Sequence, residues 1–312
     1  MTAITQMSRV GIFHLICSLL LVAPPFQSQS KVKQTQGEDF KLTVRVALTG
    51  VLVTVTNGEG APVTGLKQQD FQVFENNELQ EIKIFATEAD QPLRLSLLFD
   101  SSASIATELK TQQEAAIDFL QSIIHMTDRA SIFQVSEDVE MIQQFSNRLP
   151  ALTRAIRSIH TRGGTSLYDA IFLAAEGLRS EAGRKVILIV SDGTDTTSGI
   201  TLAKCLRAAQ NSEAVVYSLI VQPIKSEPGR NLGGEHAMIF LSERTGGKFF
   251  KISSQESLRS SYLRIGEELR TQYYIGYYPH HTLEEPGFRN IEIRLKDPAY
   301  QVRAREGYDV AR

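Results

Sequence analysis

Apolar residues form two different patterns along this chain. Between residues 90 and 282, short apolar runs alternate with segments in which apolar residues recur every three or four positions, as in strands that alternate with amphipathic helices. This alternation predicts a doubly wound (Rossmann-like) α/β fold with a mainly parallel sheet. The predicted strands span residues 93–99, 130–135, 139–145, 186–191, 214–221, 248–252 and 272–278. The predicted helices span residues 105–125, 150–159, 166–179, 200–211, 236–245 and 255–270.

The segment before this region has the pattern of a small β module. Residues 41–56 are rich in Val and Thr, and a turn cluster follows them. Residues 70–85 predict a hairpin that turns at Asn76-Asn77 and carries Ile82, Ile84 and Phe85 on its second arm. These strands form the N-terminal part of the predicted module, over residues 41–88.

The end of the chain has a similar pattern. Residues 288–308 contain two alternating runs around a predicted Asp-Pro turn. Because an isolated hairpin is marginal in water, we predict that residues 283–312 complete one β-sandwich with residues 41–88. The α/β domain of residues 90–282 is then inserted between the two halves. The tyrosine-rich residues 271–279 predict a strand that crosses between the two parts, with an aromatic interface as the alternative.

The first residues of the chain have the composition of a targeting segment. Arg9 precedes an apolar run from Gly11 to Ala23, which is too short to span a bilayer and has the length of a signal-peptide core. We predict a signal peptide over residues 1–30 and a linker over residues 31–40. The mature protein is then exported, and is periplasmic, envelope-associated or secreted, with no membrane span. An uncleaved anchor is the alternative, although two prolines end the run at 24–25.

Composition and charge exclude some classes of protein. The chain has 312 residues, of which 42% are hydrophobic and 22% charged, as in ordinary globular proteins. A formal net charge of −2 gives no argument for nucleic-acid binding, which requires clustered basic residues. Cleavage of the leader leaves Cys205 as the one cysteine, and its position on a helical pattern predicts a small buried hydrophobe.

Two predicted strands end in an aspartate. Asp100 ends the first strand and is followed by the hydroxyls of Ser102 and Ser104, while Asp192 ends the strand at 186–191. Ligands of parallel sheets bind at the carboxyl ends of strands, and hard divalent cations prefer oxygen ligands. Taken alone, the first segment is equally typical of a helix N-cap. The cation site is favoured because Thr165, after a glycine pair, begins a helical pattern between the two strands.

In this order, the segments DSSAS, GGTSLYD and VSDG resemble the metal-ion-dependent adhesion site of von Willebrand factor type A (VWFA) domains. The resemblance covers roughly residues 90–280. It implies that Ser102 and Ser104 bind a metal ion through their hydroxyls and that Thr165 joins them in at least one state. Asp100 and Asp192 match acidic positions that commonly act through metal-bound water.

The resemblance also implies a cofactor and a partner. The cofactor is Mg²⁺, or another hard divalent cation such as Mn²⁺ or Ca²⁺. The partner is a protein whose Asp or Glu carboxylate completes the coordination shell. Asp195 either holds groups around the metal site or caps a loop. The segment GEGAPVTGLKQQDFQVF further resembles one that precedes the type A domain in exported bacterial VWFA-related proteins of the acidobacterial type, where Asp is frequent at the position of Asn57.

Catalytic chemistry has little support in the sequence. It contains no GxSxG, Walker or HExxH motif. A phosphatase of the haloacid dehalogenase type requires a second acid two residues after Asp100, and Ser102 occupies that position. We therefore expect a protein that is not an enzyme. Two functions stay open: metal-dependent capture of an acidic group of a protein partner, and a scaffold or assembly subunit with a mainly structural metal site.

Overall fold

Three β-sheets organise the chain. The computed structural model describes residues 48–87, 91–102, 108–221, 232–280 and 285–310. The predicted signal peptide, the linker, the first residues of the β module and Ser104 lie outside these ranges. Within them, no helix is long and apolar enough to cross a membrane.

Six strands, numbered in chain order, form the central sheet. In spatial order they are β10 (Phe249–Ile252), β9 (Val215–Val221), β8 (Arg184–Ser191), β5 (Leu93–Asp100), β6 (Arg129–Val135) and β7 (Val139–Ser146). All neighbours are parallel except β6 and β7, which are antiparallel. The predicted doubly wound fold is therefore confirmed, and every residue of β8 is buried, as a central strand requires.

Helices cover both faces of this sheet. In the described ranges they are α1 (Leu109–Ile123), α2 (Leu149–Ser158), α3 (Leu167–Arg179), α4 (Leu202–Asn211), α5 (Leu232–Arg244) and α6 (Gln255–Leu269). Apolar residues of α1, α2 and α6 pack on one face, and those of α3, α4 and α5 pack on the other. The buried residues of α3 recur every three or four positions, from Leu167 to Leu178. That spacing places them on one side of the helix.

The remaining strands form a β-sandwich. One sheet contains β13 (Gln301–Arg303), β1 (Thr49–Thr56), β11 (Tyr273–Tyr277) and β4 (Ile82–Thr87). The other contains β14 (Gly307–Val310), β12 (Gly287–Leu295), β2 (Phe71–Glu75) and β3 (Glu78–Gln80). The two sheets share one apolar core. The strands that precede the α/β region and those that follow it therefore meet in the same sandwich.

Strand pairing within the sandwich differs from the sequence prediction. The hairpin at Asn76-Asn77 forms between β2 and β3, and both asparagines have positive φ angles, 49° and 67°, as in tight hairpin turns. The predicted second arm, with Ile82, Ile84 and Phe85, instead belongs to β4, which crosses to the other sheet and pairs with β11. The two C-terminal runs, β12 and β13, likewise lie in different sheets.

The last strand predicted for the α/β region also lies elsewhere. β11 pairs with β1 and β4 and not with the central sheet, so the central sheet is complete before residue 273. Tyr273 and Tyr277 point into the sandwich core, while Tyr274 packs against the α/β core. This strand therefore crosses between the two parts, with Tyr273 and Tyr277 buried on one side and Tyr274 half-buried on the other, while Tyr278, after the strand, is exposed. The independent folding of the α/β region stays a prediction.

Arg305 joins the sandwich to the base of the central sheet. It is buried and donates to the carbonyl of Gly50 on β1 at 2.7 Å and to the carbonyl of Gln210 on α4. Glu213, after α4, accepts from the Gly50 N–H at 2.9 Å and from Arg305 at 3.4 Å. The bonds from Arg305 to Gln210 and to Glu213, and from Gly50 to Glu213, thus link the two parts.

Glu268 forms a second link between the two parts. Its buried carboxylate accepts from Arg303 of β13 at 2.6 Å. It also accepts from the Tyr217 hydroxyl at 3.2 Å and from Lys248 at 3.3 Å. A buried carboxylate is stable only when it is paired and hydrogen-bonded, so the end of α6 depends on the sandwich for one of its cationic partners.

Cys205 is expected to resist thiol reagents in the folded protein. It has no exposed surface and packs between α4 and the central sheet, and this burial raises the pKa of the thiol far above its usual range. Only the thiolate reacts. Ellman's reagent should therefore modify a preparation that lacks residues 1–30 only after unfolding in guanidinium chloride. Rapid modification without denaturant would contradict the packing.

Candidate metal centre

The ends of β5 and β8 lie side by side. These strands are parallel neighbours, with Phe99 opposite Val190, so Asp100 and Ser191 follow at the same level. Asp192 comes next on the second strand. The predicted acidic residues therefore come from the carboxyl ends of adjacent strands at one edge of the sheet, where α/β folds bind ligands.

Asp100 is almost completely buried, with 1% of its surface exposed. One carboxylate oxygen accepts from the Ser102 N–H at 2.9 Å, and the other accepts from the Ser191 hydroxyl at 2.6 Å. The pKa of Asp100 is raised to about 6: burial is the largest cause, hydrogen bonds from Ser191 and Ser102 oppose the rise, and the charge of Asp192 adds to it. The buried carboxylate thus carries a desolvation cost that a cation would offset.

Ser191 is a site residue that the sequence reasoning missed. Its hydroxyl donates to Asp100 and accepts from the Gly193 N–H at 3.0 Å. It therefore connects the end of β5 to the loop that follows Asp192. The signal was present in the sequence as a hydroxyl directly before the second aspartate, but only the strand pairing shows what it contacts.

Thr165 is fixed by its main chain at the start of α3. It is buried, its N–H donates to the Thr196 hydroxyl at 2.9 Å, and its carbonyl accepts from the Thr196 N–H at 2.8 Å. The preceding Gly164 has a φ of +56°, and a Cβ there would lie 3.1 Å from the Cβ of Glu137. The loop after Asp192 therefore holds Thr165 in place at the same edge of the sheet.

Asp195 acts as a cap for α3. One of its oxygens accepts from the N–H groups of Leu167 and Tyr168, at 2.8 and 3.2 Å, and from the Ser198 hydroxyl at 2.6 Å. The first N–H groups of a helix have no partner within the helix, and a carboxylate near them is favourable. Of the two interpretations from the sequence, the structure favours the loop cap.

Replacing Asp195 by alanine is expected to lower the free energy of unfolding by roughly 1–2 kcal/mol, the usual cost of a lost N-cap. Two helix N–H groups and one hydroxyl lose their acceptor. Asp195→Asn keeps a carbonyl oxygen and should lose less. Urea denaturation of the two variants and the wild-type protein measures the difference. An alanine variant as stable as the wild type would contradict the capping role.

Four of the five predicted ligands lie in segments that meet at this edge. They are Asp100, Ser102, Thr165 and Asp192, while Ser104 lies outside the described residues. The Ser102 hydroxyl is hydrogen-bonded to Asp100, and Asp192 is half-buried and accepts from the Thr194 N–H at 2.9 Å. In the parts of the chain that are described, no three His, Cys, Asp or Glu side chains form a metal-binding group. A cation here would thus rely on hydroxyls beside two carboxylates, a hard oxygen set that fits Mg²⁺.

The sequence matches a known family in this region. Residues 95–194 match the family model described as the von Willebrand factor type A domain. No curated protein that was compared matches the chain. The matched residues contain the ends of β5 and β8 and the start of α3, which are the segments that form the candidate site.

Several solved structures are similar to this chain at low sequence identity. The chain is similar to the vWF domain of the type V pili tip protein Mfa5 from Porphyromonas gingivalis (12% identity, 57% of this chain and 94% of that chain, TM-score 0.48). It is similar to BatB from Bacteroides thetaiotaomicron (14% identity, 56% and 98%, TM-score 0.46). It is also similar to the pilus adhesin SpaC from Lactobacillus rhamnosus GG (10% identity, 81% and 47%, TM-score 0.50).

Proposed function

We propose that this chain, whose residues 95–194 match the family model of the von Willebrand factor type A domain, is a metal-dependent binding protein without enzymatic activity. A divalent cation, Mg²⁺ by preference, binds at the edge formed by the ends of β5 and β8 and captures an acidic group of a protein partner. One observation carries this proposal: the turn of Asp100 and Ser102 lies beside Asp192 at the ends of adjacent strands, the loop after Asp192 is bonded to the main chain of Thr165, and Asp100 is buried. The protein is exported, in agreement with its predicted signal peptide.

The proposed ligands have distinct tasks. Ser102 and Thr165 would bind the cation through their hydroxyls, with Ser104 as the predicted third hydroxyl. Asp100 would act through water, because both of its oxygens already accept hydrogen bonds from the protein. When bound, the cation supplies an electrophilic position for a carboxylate oxygen of the partner. The chain itself supplies the rigid frame: Ser191 orients Asp100, and the loop after Asp192 holds Thr165.

The names of the similar structures agree with a binding role. Mfa5 is named as a pilus tip protein and SpaC as a pilus adhesin. Adhesion of this general kind, at the envelope or outside the cell, is what we propose for this chain. The donor groups at the site, and not these names, support the proposal.

Metal binding is tested by thermal unfolding with Mg²⁺, Mn²⁺ or Ca²⁺ against EDTA. A ligand that binds only the folded state adds about 2.7 kcal/mol at a roughly hundredfold excess over Kd, so the melting temperature should rise. We expect Asp100→Ala to abolish this rise. Asp118→Ala removes an exposed carboxylate on α1 and should leave it intact. No rise with any of the three ions in the wild-type protein would contradict the proposed site.

A mainly structural metal site is the second candidate, and the near-complete burial of Asp100 favours it. Capture experiments from the native source, with and without EDTA, separate the two. If Asp100→Ala loses an EDTA-sensitive partner while its melting temperature in EDTA equals that of the wild type, the binding function is supported. If the variant mainly loses thermal stability and retains the partner, the scaffold function is supported.

A further inference from the structure

Gln134 contacts both segments that lead to the proposed ligands. It lies on β6 and is 2% exposed. Its side-chain amide nitrogen donates to the Ser101 hydroxyl at 3.1 Å and to the His160 carbonyl at 2.9 Å. Ser101 stands between Asp100 and Ser102, and His160 begins the loop that runs to Thr165. One buried amide group therefore connects the two segments.

Ser101 is held from several sides. Its N–H and its hydroxyl both donate to the Val135 carbonyl, at 2.8 and 3.0 Å. Its carbonyl accepts from the Arg162 N–H at 2.8 Å. The turn after β5 is thus bonded both to β6 and to the loop before Thr165, and Gln134 lies where these bonds meet.

Glutamine suits this position for a chemical reason. Its amide group has two N–H donors at a fixed angle, and here each hydrogen has its own acceptor. A buried side chain that lost these donors would leave the Ser101 hydroxyl and the His160 carbonyl with fewer partners. The segments that carry Ser102 and Thr165 would then be joined less rigidly, although the bond from the Arg162 N–H to the Ser101 carbonyl would remain.

We propose that Gln134 is a positioning residue that fixes the spacing between the turn of Asp100 and Ser102 and the loop of Thr165, and thereby sets the preference of the site for Mg²⁺ over Ca²⁺. This inference rests on the proposed metal-binding function. Mg²⁺ requires near-ideal octahedral geometry at about 2.0–2.1 Å, whereas Ca²⁺ accepts flexible geometry at about 2.3–2.6 Å. A frame that holds its ligands close favours the smaller ion, and a loosened frame loses that preference.

The test compares two buried glutamines in the full chain. Gln134→Met keeps the approximate volume and removes both donors. Gln210→Met is the matched control, because Gln210 is also buried and donates to the Arg244 carbonyl, away from the site. Titration with Mg²⁺ alone and with Ca²⁺ alone should show Mg²⁺ affinity at least about tenfold weaker in Gln134→Met, with Ca²⁺ affinity nearly unchanged. The control should keep the wild-type ratio of the two affinities.

A second measurement does not depend on the metal. In EDTA, hydrogen exchange of the Arg162 N–H, which is bonded to Ser101, should be faster in Gln134→Met and unchanged in Gln210→Met. If Gln134→Met binds metal normally, with an unchanged ratio of the two affinities and unchanged exchange, the positioning role is overturned. The proposed metal-binding function would still stand. If the wild-type protein binds neither ion, the proposed function and the metal preference are overturned together, even if exchange is faster in Gln134→Met.

Discussion

Gly234→Ala is expected to lower the free energy of unfolding by roughly 2 kcal/mol or more and to weaken metal binding at the same time. Gly234 lies in the first turn of α5, where its backbone packs directly on the loop after Asp192. A Cβ on Gly234 would lie 1.8 Å from the carbonyl oxygen of Gly193. Because both sides of this contact are backbone, no side chain is able to rotate away, and either α5 or the loop must shift.

The loop has little freedom to accommodate that shift. Gly193 has a φ of +86°, and a Cβ there would lie 2.7 Å from the carbonyl carbon of Gly234. Its N–H donates to Ser191, which in turn donates to Asp100. A displaced loop would therefore disturb the orientation of Asp100 and Asp192 as well as the packing of α5.

Gly177→Ala is the matched control for this substitution. Gly177 lies on α3, and nothing is within 4 Å of a Cβ built there, so alanine should stabilise the helix by about 0.5–1 kcal/mol. Urea denaturation in EDTA measures the stability of each variant, and a thermal shift with Mg²⁺ measures metal binding. If Gly234→Ala matched the wild type in both, the close backbone contact would be refuted.

The contrast between Asp100 and Gly234 shows which parts of the site a single sequence reveals. Asp100 and Asp192 were predictable because each ends a local apolar run, and Thr165 because a glycine pair precedes a helical pattern. The roles of Ser191, Gln134 and Gly234 depend on which strands are neighbours and how closely two backbones approach. No local sequence pattern shows which strands are neighbours. A serine or glutamine within a strand follows the same pattern whether it lies at a binding site or elsewhere.

The sandwich shows the same limit for the fold. Alternation predicted hairpins within residues 70–85 and 288–308, and so paired the second strand of each segment with the first. An alternating strand presents the same apolar face to a core from either of two packed sheets. The pattern of apolar residues therefore does not show which sheet the strand joins. The turn at Asn76-Asn77 was predictable because asparagine tolerates positive φ, and the crossing after β3 has no comparable signal.

Arg303 and Arg305 lie at the junction of the β-sandwich and the α/β region. The contacts at this junction are the feature of the fold that the sequence predicts least. In the sequence they belong to a short alternating run near the end of the chain, where arginine is typical of a solvated face. In the structure they donate to Glu268 and to the carbonyls of Gly50 and Gln210. Because of these bonds, cutting the α/β region away from the sandwich changes its stability as well as its strand connections.

A fragment of residues 91–271 is expected to fold, whereas a fragment of residues 90–282, the boundary predicted from the sequence, is expected to aggregate. The longer fragment adds β11, whose Tyr273, Ile275 and Tyr277 are buried in the sandwich core. Without β1 and β4, this strand has two unpaired edges and an exposed apolar face. Such strands pair with other chains, so the additional residues should reduce solubility.

The shorter fragment should be less stable than the full chain by several kcal/mol. It keeps the complete central sheet and the bond from Lys248 to Glu268, but loses the bonds from Arg303 and Arg305, each worth about 1–3 kcal/mol when a buried or charged partner is left behind. Size-exclusion chromatography and urea denaturation of both fragments and the full chain test this. A longer fragment that is monomeric and as stable as the full chain would mean that β11 and the junction contribute little. A shorter fragment that fails to fold would mean that the α/β region requires the sandwich.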